Sequence, residues 1–150
     1  MTKPVGSAQA LLLVGWIFGI LVPLASLRRI SASYWAPFDR VFDSEVSHVL
    51  AHTLLFAVLA FLVASVLTRA ERTLGRAMFL ALACTAVLGM SQEAIQVACE
   101  GLRPGINELF DWCVDVNGGL LGAMIFMRLA RKDEKRETDE DHFRESVRCS

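Results

Sequence analysis

Six polar side chains stand in or beside long apolar stretches of this sequence: His48, His52, Glu93, Gln96, Asp111 and Asp115. His48 and His52 are four residues apart, Glu93 and Gln96 three, and Asp111 and Asp115 four. Each spacing puts both members of a pair on one face of a helix. Ionisable groups inside apolar spans are costly and mark function by default. Imidazole and carboxylate together can hydrogen-bond, move a proton or offer nitrogen and oxygen donors to zinc. No His-Glu-x-x-His motif is present, so the zinc reading is unspecific and neither metal nor other cofactor is assigned. Arg103 falls between Gln96 and Asp111, where it could bridge carboxylates or bind a phosphate. The competing reading of the whole set is a buried hydrogen-bond network that pins helices together. The sequence holds no Gly-rich phosphate loop, Cys-x-x-Cys pair, Gly-x-Ser-x-Gly elbow or internal repeat.

The elements that must position these groups follow from the distribution of charge. The 150 residues suit one domain. With 54 % hydrophobic and 21 % charged residues, pervasive disorder is excluded, and four scattered cysteines exclude a disulfide-dense miniprotein. A net charge of −1 gives no pull toward nucleic acid. Four apolar runs stand out: Ala8–Leu27, Val46–Thr68, Ala77 to about Ala98, and Leu109–Met127. Each is close to the 20 or so residues that cross about 30 Å of hydrocarbon as a helix. The expected fold is an all-α integral membrane bundle of four transmembrane helices over residues 1–127, Pro23 kinking the first. A short charged cytoplasmic tail, residues 128–150, follows. The tail carries seven basic and seven acidic residues, and its mixed signs predict a solvated, disordered extension.

Lys3, Arg69, Arg72, Arg76 and the seven basic tail residues fall on one side of this topology, and Arg28, Arg29, Arg40 and Arg103 on the other. The excess places both termini in the cytoplasm. Trp35 and Trp112 then lie near the outer interface. A cleaved signal covering residues 1–33 is the competing reading of the first span. Cys99 and Cys113 both fall toward the outer surface, where a bridge is one alternative.

This topology puts the six polar residues in a single layer near the outer leaflet, contributed by three helices. On the fourth span Asp111, Asp115, Gly118 and Gly122 form one stripe, whose glycines invite close approach of a neighbouring backbone. Arg103 is the nearest basic residue to offset repulsion between Glu93 and Asp111.

Glu93-x-x-Gln96, Arg103, Asp111 and Gly118-x-x-x-Gly122, with His52 and Phe56 on the second span, resemble the signature of VanZ-like membrane proteins. The resemblance runs from about Ser47 to Ala123. It departs where the family has an Asp-Lys pair shortly before the histidine, here His48 and Val49, and an Asn four residues after its Asp, here Asp115. The Arg103–Asp111 interval is also slightly long. The resemblance implies a multi-pass protein of the bacterial cytoplasmic membrane, linked to the cell envelope and to glycopeptide (teicoplanin) susceptibility. The expected function is binding of a lipid head group, a lipid-linked envelope precursor or a membrane-protein partner at His52, Glu93, Gln96, Arg103, Asp111 and Asp115. The alternative is an intramembrane enzyme on a lipid-linked phosphate, with Glu93 or Asp111 as general base and Arg103 on the phosphate. A proton-coupled carrier ranks last, because no inverted repeat is evident.

Overall fold

A computed structural model describes residues 7–22, 44–69, 73–101 and 103–148, which form four helices and no strand. These are α1 (Ser7–Leu21), α2 (Glu45–Arg69), α3 (Leu74–Glu100) and α4 (Ile106–Arg148). The last three are long and apolar enough to cross a membrane. The expected kink at Pro23, the end of the first span and Trp35 lie outside the described residues.

Local chemistry sets the helix ends. At the start of α2 the Ser44 hydroxyl accepts the Ser47 backbone N–H at 3.1 Å, satisfying one of the orphan donors of the first turn. Gly101 ends α3 in the left-handed region at φ 69°, and its N–H donates to the Val97 carbonyl. Three residues on, Pro104 and then Gly105 cannot extend that helix readily. The Gly105 N–H instead donates to Glu108 Oε2 at 2.7 Å, half of a capping box that starts α4. Both α3 and α4 begin about one turn earlier than the apolar runs alone predict, at α4 because of this cap.

α4 packs against both α2 and α3, which also pack on each other, while α1 rests on α2 and α3. Trp16 of α1 donates its indole N–H to the Leu55 carbonyl of α2 at 2.9 Å. Most of the buried positions hold small side chains: Ala57, Ala60 and Ala64 on α2, Ala77 and Ala81 on α3, and Ala123 on α4, around the larger Phe56 and Leu59. Large apolar side chains point outward instead, as with Phe79 at 70 % and Val87 at 65 % exposure. Water would oppose that arrangement. In lipid, outward apolar groups lose nothing, and association depends on close van der Waals fit and interhelical hydrogen bonds. The chain is a helical membrane protein.

The charged segment expected as a loose extension continues α4 without a break to Arg148. No Gly or Pro follows Gly122, and Lys, Arg and Glu are good helix formers.

Candidate functional site

The polar groups meet at the end of the bundle formed by the start of α2, the end of α3 and the start of α4. His52 Nδ1 lies 2.7 Å from Asp115 Oδ1, and Glu93 comes from α3 so that one donor atom of each of the three residues falls within 4.8 Å of the others. All three are buried: Asp115 is 0 %, Glu93 4 % and His52 8 % exposed. Asp115 Oδ2 and Glu93 Oε1 have no hydrogen-bond partner among the described residues. A buried carboxylate oxygen without a partner is a rare and unfavourable condition. Two carboxylates beside one imidazole also call for compensating positive charge, supplied either by protons or by a cation.

Small residues make this convergence possible. A Cβ on Gly89 of α3 would stand 2.9 Å from Asp115 Oδ2, so glycine leaves the space that the carboxylate fills. A Cβ on Gly118 would lie 2.5 Å from the Thr53 carbonyl oxygen, and one on Gly122 would overlap the Ala57 carbonyl. The α2 backbone thus lies directly against the glycines of α4, which sets His52 opposite Asp115. Gly119 makes the corresponding accommodation for Thr85 of α3. Trp112 fastens α4 to α3 through a 2.9 Å hydrogen bond from its indole N–H to the Ala86 carbonyl.

A second, more exposed tier lies one turn outward. His48 Nε2 is 3.3 Å from Asp111 Oδ2, and the His48 and His52 rings have centroids 4.5 Å apart. Two clefts reach these tiers. One of about 700 Å3 is lined by Ser44, Glu45, His48, Asn107, Phe110 and Asp111 among others. The other, of about 240 Å3, lies between α3 and α4, with Glu93 at its wall beside Met90, Val97, Glu108, Leu109 and Trp112. Among the described residues, no Lys or Arg lines either.

Compared with known proteins, the chain matches no family model, no curated protein and no solved structure.

Of the residues singled out from sequence, the structure brings together His52, Glu93 and Asp115, with His48 and Asp111 beside them. Gln96 is half-buried one turn beyond Glu93 and outside the cluster. Arg103 is exposed and makes no ion pair among the described residues; of the two carboxylates it was expected to offset, Asp111 pairs with His48 and Glu93 joins the buried cluster with His52 and Asp115. Cys99 and Cys113 are separate, exposed thiols. Sequence reasoning missed Thr85 and Gly89. Their signal is a four-residue spacing, Ala81, Thr85, Gly89 and Glu93, all buried along one face of α3.

Proposed function

We propose that this chain is a VanZ-like protein of the bacterial cytoplasmic membrane, with both termini cytoplasmic, that holds a lipid head group or lipid-linked envelope precursor in the outer leaflet. The observation that carries the reading is the position of Glu93. It belongs to the buried polar cluster and also walls the cleft between α3 and α4, whose other surfaces are largely apolar. An apolar cleft ending in a few convergent polar groups is the usual form of a small-ligand site. Both clefts carry carboxylates on their polar walls and, among the described residues, no Lys or Arg, so the head group they suit donates hydrogen bonds, as a hydroxyl or an amine does.

The convergence at one end of the bundle of His52, Glu93 and Asp111, which carry the VanZ-like resemblance, supports the family reading. The same reading ties the chain to teicoplanin susceptibility, measured as a change in inhibitory concentration when the gene is deleted or overexpressed. Catalysis on a lipid-linked phosphate draws less support, since Arg103 lines neither cleft.

Mass spectrometry of the lipids retained by the detergent-purified protein tests the proposal. Wild type should retain one lipid class that Glu93→Gln and Trp112→Ala lose. The same lipid profile in all three proteins, or a co-purifying membrane protein in place of any lipid, overturns it.

A further inference from the structure

We infer that His52, Glu93 and Asp115 form a site for a first-row divalent transition cation, buried where α2, α3 and α4 meet. The inference does not rest on the head-group reading, although it concerns the same end of the bundle. Three independent features support it.

Donor number and placement come first. One nitrogen and two oxygens, each from a different helix, lie within 4.8 Å of one another. Around zinc, donors at about 2.0–2.1 Å in a tetrahedron stand roughly 3.3 Å apart. The three side chains therefore need to draw together by no more than about 1.5 Å, within reach of rotamer adjustment. Bonding through His52 Nδ1 replaces its hydrogen bond to Asp115, and its proton then resides on Nε2.

Unmet bonding capacity is the second feature. Glu93 Oε1 and Asp115 Oδ2 are buried without a partner among the described residues, on residues that are 4 % and 0 % exposed. A cation turns both from a burden into ligands.

Charge is the third. Two carboxylates and a neutral imidazole sum to −2, which a divalent ion cancels at a depth where uncompensated charge is strongly disfavoured. The imidazole selects against Mg2+ and Ca2+, which prefer all-oxygen shells, and favours zinc, iron, copper or nickel. Glu93 also faces the 240 Å3 cleft, so a fourth coordination position can be reached by water or by a ligand. His48 and Asp111 stand just outside as neighbours able to orient the inner residues.

Full-length protein without a histidine tag is purified in detergent, with Cys84, Cys99, Cys113 and Cys149 replaced by Ala or Ser to remove competing thiolates. After chelation it is titrated with Zn2+, Mn2+ or Mg2+ while bound metal and melting temperature are followed. We expect about one Zn2+ per chain, thermal stabilisation by Zn2+, and none by Mg2+. Glu93→Gln and His52→Ala should each weaken Zn2+ binding more than tenfold, and Asp111→Asn by less than either. Should His52→Ala fail to fold, the near-isosteric Glu93→Gln still decides the matter. Zn2+ uptake unchanged in Glu93→Gln, or no uptake by the cysteine-free parent, overturns the inference. Retained lipid is measured on the same samples, so loss of metal and loss of lipid are read separately.

Discussion

The imidazole of His52 and the carboxylate of Asp115, 63 residues apart in sequence, are joined at 2.7 Å between α2 and α4. Asp115 is fully buried and the His52 side chain is only 10 % exposed. Removing either one leaves its partner buried and unsatisfied, which generally costs about 1–3 kcal/mol. His52→Ala and Asp115→Ala should therefore each lower unfolding stability in detergent, and the double variant should lose less than their sum. Interhelical hydrogen bonds in membranes couple by about 0.6 kcal/mol on average. Strict additivity would show that the contact contributes nothing specific.

Gly122→Ala should be severely destabilising, because its new methyl overlaps the Ala57 carbonyl and forces α2 and α4 apart. Gly15→Ala on α1 meets nothing within 4 Å and should be tolerated or slightly stabilising, by up to about 1 kcal/mol. Equal melting temperatures for the two variants would contradict the close helix seam.

Arg103→Ala should change stability by no more than about 0.5 kcal/mol, as expected of an exposed side chain with no ion-pair partner among the described residues. Combined with Asp111→Asn, its effect should simply add. A clear coupling energy between these two substitutions would return Arg103 to the site.

Basic-residue counting places the end of α3 outside the cytoplasm and the C-terminal tail inside. A membrane-impermeant maleimide applied to intact cells should therefore label Cys99 in a variant that retains only that thiol. A variant retaining only Cys149 should be labelled only after lysis. The reverse pattern inverts the topology and moves the polar end of the bundle to the cytoplasmic leaflet.

The apolar runs over Val46–Thr68, Ala77–Ala98 and Leu109–Met127 were legible because charge is almost absent from them, and the helices differ mainly at their ends. Caps decide ends, and the Gly105–Glu108 contact is a side-chain choice that hydropathy does not register. The stripe Asp111, Asp115, Gly118 and Gly122 was legible because one helix carries it with regular spacing. Pairing between helices was not. Nothing in spacing chooses Asp115 rather than Arg103 as a neighbour for the Glu93 carboxylate. That outcome depends on how far Gly89 and Gly118 let three backbones approach. The helical course of residues 128–148 was also missed, because mixed charge suits a solvated helix as well as a loose chain.

On α4, Asp115 and the glycines that seat it share one continuous helical phase. Inserting a single residue between Asp115 and Gly118 would rotate everything downstream by about 100° relative to the acidic turn. The carboxylate could then face His52, or the glycines could face Thr53 and Ala57, but both could not do so together. Related chains can therefore exchange side chains along this seam but cannot change its length. Insertions and deletions belong beyond Phe126, past the last α4 side chain packed against the core. The reading frame of the helix, as much as the identity of any residue, is what descent must preserve here.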